Sequence, residues 1–387
     1  MLKTDLEAGI AGDDYTSREI SSQPSLWQDT YRSLLDQQEA LTDFLQPLWD
    51  QDHLDVVLTG AGTSAFIGEA LQGPFLKNTG KLTRAIATTE LVSHPSLFLR
   101  RDRPTLLISF ARSGNSPESV AAVEIANALC DPVYHLVITC NEGGKLARQK
   151  NSQQYTLLLP PAANDQGLAM TGSFSAMLLT GLLVSRWSSL VSLRPRVEQL
   201  VAYGHHLLRQ APERLRKVAE LPFERIVFLG SGPLQGTAQE SHLKVQELTD
   251  GQVVGKHDSF LGFRHGPKVV ANHQSLVVLL FSNNPYVRPY EVDLAQELHQ
   301  SSKALYTVGV AERPVPGVKL DLWITMTEHE GAPLDEELLA VCSVLPAQII
   351  GYYKSRQLGL APDNPSVNGT ISRVVKGVTI YPYPVSS

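Results

Sequence analysis

The sequence predicts an α/β protein of two successive halves, each a mostly parallel sheet flanked by helices, behind a short helical segment at residues 1–50. Three observations predict it. Leu54–Ala70, LDVVLTGAGTSAFIGEA, has a counterpart about 170 residues later at Arg225–Glu240, RIVFLGSGPLQGTAQE. In each, an apolar β-branched run ends in Gly-x-Gly and gives way to small polar residues that open a helix. A second pairing follows, since Pro104–Leu129 and Gln274–His299 both read strand, polar loop, helix, through SFARSGNSPES and FSNNPYVRPY. Such repeated units indicate a duplicated α/β chain. Third, 387 residues leave room for two cores, and 43% hydrophobic with 19% charged residues is ordinary globular composition.

The elements follow in order. Trp27, Tyr31, Leu34 and Leu35 share one helical face of the N-terminal segment. Val56–Thr59 reads as a buried strand and Thr63–Gln72 as the helix after it. Thr105–Phe110 and the helix Glu118–Leu129 come next, then strands His135–Thr139 and Tyr155–Leu159 and a long apolar helix, Thr171–Val184. Helical residues from Arg196 to Glu220 lead into the second half. Its strands are Ile226–Leu229, Leu276–Phe281, Leu305–Val310 and Leu322–Thr325. Four apolar strands in each half, alternating with helices, predict parallel sheets covered on both faces. Such sheets take ligands at the carboxyl ends of their strands, where the polar loops fall.

Several function classes are excluded. A net charge of -6 with no basic cluster argues against a nucleic-acid partner. Cys130, Cys140 and Cys342 are widely spaced, which suits a reduced, cytoplasmic setting. The acidic start MLKTDLEAGIAGDDYTSREI has no apolar core, so no signal peptide is expected. Apolar stretches such as Ala176–Val184 and Leu276–Phe281 fall short of the ~20 residues that span a bilayer, so no membrane partner is expected. Asp131, Glu142 and Asp165 match no metal-ligand spacing, and His205-His206 diverge on a helix, so no metal is expected. There is no Gly-x-Ser-x-Gly elbow and no cofactor motif; the expected cofactor list is empty.

Gly60-Ala61-Gly62-Thr63-Ser64 stands where a strand ends and a helix begins. There, free amides and the helix dipole favour an anion, and Thr63 and Ser64 add hydroxyls. Read alone, Gly-x-Gly is also what a tight turn uses; it lacks the third glycine of a dinucleotide fingerprint and the Gly-Lys-Ser/Thr of a P-loop. Arg112-Ser113-Gly114-Asn115-Ser116 follows the next strand, with Pro117 suited to a first helical turn and Ser116 to an N-cap. Two hydroxyl-rich loops at one sheet edge favour a phosphate cradle of neutral donors, with Arg112 adding charge or pointing to solvent.

In the second half, Glu240, Lys244 and Glu247 stand at i, i+4 and i+7 of the helix TAQESHLKVQELT, on one face. A solvated ion-pair face is the plain reading of that spacing; Leu243 and Leu248 beside it speak against one. His265 follows in GFRHGPK, on a loop made rigid by glycine and proline. Carboxylate, cation and imidazole together are the parts for moving protons beside a carbonyl.

On these residues the chain resembles sugar isomerase (SIS) domain proteins over about residues 50–380, in particular the isomerase half of glucosamine-6-phosphate synthase. GAGTSAFIG, SFARSGNSPESVAAVE, ITCNEGG, LGSGPLQG and GFRHGPK, taken together, look most like the AgaS-type group of that family. The resemblance implies two tandem SIS domains of flavodoxin-like doubly wound topology, residues 51–200 with the phosphosugar loops and 215–380 with the catalytic cluster. It implies that Thr63, Ser64, Ser113 and Ser116, with Arg112 beside them, bind a sugar phosphate. Here the family's first loop serine falls on Ala111, and Arg112 stands where a glutamine is usual. KVQE places the proton-abstracting glutamate on Glu247 and its companion lysine on Lys244; RHGP places the ring-opening histidine on His265, which a neighbouring subunit can supply in that family. The tail DNPSVNGTISRVVKGV resembles the synthase tail, where Lys376 would match a substrate-contacting lysine.

The implied activity is conversion of galactosamine 6-phosphate to tagatose 6-phosphate and ammonia, by a homo-oligomer of at least two chains. A plain aldose–ketose isomerase of hexose 6-phosphates would use the same proton shuttle. A sugar-phosphate sensor would instead join one SIS unit to a helix-turn-helix, for which the acidic residues 1–50 are too short.

Overall fold

The computed structural model describes residues 10–149, 152–301, 303–375 and 377–384. They fall into two compact units. The first-half unit takes Leu26–Asn164, Gly172–Arg194 and the tail from Ile371; the second-half unit takes the described residues up to Ser25, Asp165–Thr171 and Pro195–Thr370.

In the first-half unit, strands β1 (Asp55–Thr59), β2 (Leu82–Ala85), β3 (Thr105–Ala111), β4 (Val133–Thr139) and β5 (Gln154–Leu158) form one sheet in the order β2-β1-β3-β4-β5. Every pairing is parallel. β1 and β3 are buried along their whole length, which is why they read as unbroken apolar runs rather than alternating ones. Helix Gly172–Ser185 is buried on all sides, as its uniformly apolar sequence requires. In the second-half unit, β6 (Arg225–Leu229), β7 (Val254–Asp258), β8 (Ser275–Leu280), β9 (Tyr306–Ala311) and β10 (Leu322–Thr325) repeat the same all-parallel arrangement, β7-β6-β8-β9-β10. In a doubly wound sheet of this order, ligands bind where the winding reverses, beyond the carboxyl ends of the first and third strands. Thr59 and Ala111 end those strands in the first-half unit, so residues 60–64 and 112–116 lie at that point.

Three expectations are corrected. Among the described residues each half has five strands rather than four. β2 and β7 were invisible because LTRA and VGKHD lie at sheet edges, half exposed, and carry no apolar run. Residues 1–50 are helical over Tyr15–Ser21, Gln23–Asp36 and Gln38–Trp49, but they serve both units rather than standing apart. Asp363 accepts hydrogen bonds from the Thr16 amide (2.8 Å) and hydroxyl (2.7 Å) in the second-half unit. In the first-half unit the Trp27 indole donates to Ser175 Oγ at 2.9 Å and the Tyr31 hydroxyl to the Leu190 carbonyl at 2.9 Å. Residues beyond 370, expected in the second domain, group with the first-half unit for the reason given below. Among the described residues, no single helix is long and apolar enough to cross a membrane.

Candidate active site

The two Gly-x-Gly turns have the same backbone. Gly62 lies at φ 56, ψ -129 and Gly232 at φ 57, ψ -129, each just before its helix. Only glycine adopts that conformation readily, so the duplication is conserved in geometry as well as in letters. After Gly62 the helix Thr63–Thr79 opens on Thr63 and Ser64, both largely buried at the carboxyl end of β1.

The second loop is braced from behind. Asn141 Nδ2 donates to the Ser113 carbonyl at 2.8 Å, and the Lys145 and Leu146 amides donate to Asn115 Oδ1 (3.0 Å) and the Gly114 carbonyl (3.1 Å). A Cβ on Gly144 would come within 2.6 Å of the Ser113 carbonyl oxygen, so this approach needs a glycine. ITCNEGG is therefore the support of the Ser113 loop. Ser116 occupies the N-cap position before Pro117, but its hydroxyl donates to Ser119 Oγ at 2.6 Å instead of capping an amide. Arg112 is buried and donates from Nη2 to the Arg373 carbonyl at 2.6 Å; Arg373 in turn donates to Asn164 Oδ1 at 2.9 Å. Arg112 thus neither points to solvent nor stands alone: it ties the C-terminal tail to the loop of Ser113. Lys376, assigned to that tail, lies outside the described residues.

The helix Pro233–Leu248 carries the titratable cluster, and the solvated reading of it fails. Lys244 is fully buried, with Nζ 2.5 Å from Glu247 Oε2 and 3.3 Å from Glu240 Oε1. Helices Glu336–Cys342 and Leu345–Gln357 pack over this helix, and Glu240 is fully buried with the lysine. Glu247 alone keeps 23% of its side chain exposed, so it is the member a ligand can reach. A buried cation needs such compensation; one carboxylate inside and one at the surface provide it. Glu240 joins the candidate site on this contact.

His265 is exposed, following the short helix Phe260–Phe263, whose two phenylalanines are fully buried. The helix after β6 runs back along the sheet, and Gln246 Oε1 accepts from the Gly255 amide near the start of β7. His265 comes after the far end of β7, which closes at Asp258. Lys244 and Glu247 therefore lie toward the amino ends of the second sheet's strands and His265 beyond the carboxyl end of β7. Among the described residues no hydrogen bond or ion pair joins them. A cleft of about 500 Å³ in the same unit, between helix Arg194–Gln210 and the loop after β10, holds none of the predicted residues.

Comparison with known proteins gives three results. The SIS domain family signature matches residues 48–185. D-galactosamine-6-phosphate deaminase AgaS of Shewanella sp. (strain ANA-3) is 41% identical over 95% of the chain and 92% of its own length, and that of Escherichia coli O157:H7 is 40% identical over 97% and 98%. The crystal structure of tagatose-6-phosphate ketose/aldose isomerase from Escherichia coli superposes with a TM-score of 0.87 at 37% identity, covering 96% of this chain and 97% of that one.

Proposed function

The chain belongs to the AgaS-type group of the SIS-domain family, and on that premise we propose that it is a galactosamine-6-phosphate deaminase, yielding tagatose 6-phosphate and ammonia. One observation carries the chemistry: a buried lysine is held between two carboxylates of which only Glu247 is accessible. His265 opens the pyranose by passing a proton between the C1 hydroxyl and the ring oxygen. Glu247 takes the C2 proton and returns it to C1 through an enolamine. The resulting C2 ketimine adds water and releases ammonia, leaving the ketose. Lys244 offsets negative charge that develops on the open chain. Thr63, Ser64, Ser113 and Ser116 hold the phosphate with neutral donors, and Arg112 keeps the loop and tail in place.

Because Glu247 lies toward the amino ends of the strands of its sheet and His265 beyond their carboxyl ends, the reading requires His265 from a second copy of the chain. The working form is then a dimer or larger. The names of similar structures favour a second reading, a plain isomerase using the same shuttle.

The test is substrate comparison in the presence of chelator. Galactosamine 6-phosphate, glucosamine 6-phosphate, N-acetylgalactosamine 6-phosphate and galactose 6-phosphate are supplied at matched concentration. Ammonia and ketohexose phosphate should come from the first and little product from the acetylated sugar, whose amide nitrogen forms no ketimine. Turnover of galactose 6-phosphate with no ammonia from either hexosamine would establish the isomerase instead.

A further inference from the structure

His265 sits between two cations that share one anchor. Arg264, just before it, donates from Nε (3.2 Å) and Nη2 (2.6 Å) to Glu297 Oε2. Lys268, three residues after it, pairs with Glu297 Oε1. Glu297 stands on helix Arg288–Ser301, whose Leu294, Ala295 and Leu298 are buried in the same core as Phe260 and Phe263. The backbone between the two anchors is otherwise light. The His265 amide donates to the Gly262 carbonyl at 3.0 Å and the Val269 amide to the Gly266 carbonyl at 3.1 Å, each closing a single turn. Single turns of this length do not hold their shape alone.

We infer that Glu297 is a positioning residue that fixes the His265 loop by holding Arg264 and Lys268 at once. The inference rests on the catalytic role proposed for His265. Phe260 and Phe263 anchor the start of the loop in the core, and the Glu297 carboxylate holds the cations on either side of His265. A second contribution is electrostatic, since Glu297 offsets two positive charges that would otherwise flank the imidazole. Its own carboxyl is held below the ordinary range, first by the hydrogen bond from Lys268 and then by that from Arg264. The clamp is therefore charged at neutral pH.

The experiment is a double-mutant cycle of Glu297→Gln with His265→Asn in the full chain, with hydrogen exchange of residues 260–271 measured alongside. Glu297→Gln should lower kcat about three- to tenfold, the range expected for losing an exposed ion-pair network, with KM moving less than about twofold. The double variant should be no slower than His265→Asn, because Glu297 acts only through that histidine. The amides of Arg264, His265, Gly266 and Lys268 should exchange faster in Glu297→Gln, while those of β6 and β8 stay unchanged. Additive losses of kcat, or an unchanged exchange rate in 264–268, would overturn the assignment. If the wild type releases no ammonia, the proposed reaction fails, and exchange of the loop still decides whether Glu297 holds it.

Discussion

Glu291 provides a sensitive test of the buried chemistry of the second-half unit. It is fully buried in the first turn of helix Arg288–Ser301; its Oε2 accepts from the Ser282 amide at 2.9 Å. Its Oε1 is buried without a hydrogen-bond partner among the described residues. Burial, reinforced by Glu336, raises its pKa from 4.5 to about 8. The native state then retains a proton that the unfolded chain surrenders near 4.5. The stability this carboxyl contributes is therefore greatest in acid and falls as pH rises, by up to about 1.4 kcal/mol per pH unit between the two values. From pH 5.5 to 7.5 the loss from this one group comes to roughly 2 kcal/mol. Glutamine in its place is neutral throughout, fills the same volume and offers its carbonyl to the Ser282 amide. Urea unfolding of wild type and Glu291→Gln at both pH values reads the difference. Glu19 shifts the same way, to about 7, through burial and Asp165, but it is present in both proteins and cancels. Equal losses of stability in the two proteins would refute a buried, protonated Glu291.

Other outcomes follow from the same structure. Glu247→Gln should cut ammonia release by about 10²–10⁴, the usual worth of a positioned base, while substrate still binds by calorimetry. Mixing Glu247→Gln with His265→Asn chains should restore about a quarter of wild-type activity if His265 serves a neighbouring copy, and none if each chain is self-sufficient. Ser113→Ala should raise KM by about tenfold with little change in kcat, as for one lost hydrogen bond to a charged group, read by initial rates. Gly62→Ala and Gly232→Ala should each cost about 1–3 kcal/mol in urea unfolding. A Cβ at either position meets nothing within 4 Å, so backbone strain alone is measured.

The sequence made the interior of each sheet legible and its margins illegible. β1, β3, β6 and β8 are buried on both faces and announce themselves as apolar runs; β2 and β7 lie at edges and need no apolar residues. Helical spacing placed Glu240, Lys244 and Glu247 on one face, yet their burial comes from helices about 100 residues later in the chain, which no local pattern reveals. Trp27 and Tyr31 were readable as one packing face, but a periodicity does not say which partner it meets. The role of Arg112 is equally non-local, because its acceptor is a backbone carbonyl 261 residues away. Asn141 and Gly144 sat in a motif tied to the family, and only the approach of Gly144 to the Ser113 carbonyl shows what the motif does.

The duplicated scaffold also shows that the two copies carry different side chains at corresponding positions. Parallel pairing sets Val57 beside Leu107 and Val227 beside Val277, so the same offset relates both strands and the loops after them. Where the first copy opens its helix on Thr63 and Ser64, the second has Pro233 and a fully buried Leu234, without hydroxyls and short of one amide donor. Ser113 corresponds to Asn283, whose amide is committed to Glu312 Oε2 (2.9 Å) and the Leu334 carbonyl (2.7 Å). Arg112 corresponds to Ser282, whose backbone amide is taken by the internal carboxyl of Glu291. The polar groups at the corresponding position of the second copy are thus taken up by its own side chains. In exchange, Glu240, Lys244 and Glu247 correspond to Ala70, Pro74 and Lys77, which provide no carboxylate. Among the described residues, the hydroxyls proposed to hold phosphate stand in the first copy and the cluster proposed to move protons stands in the second. Neither half alone contains both sets of groups that the proposed reaction requires.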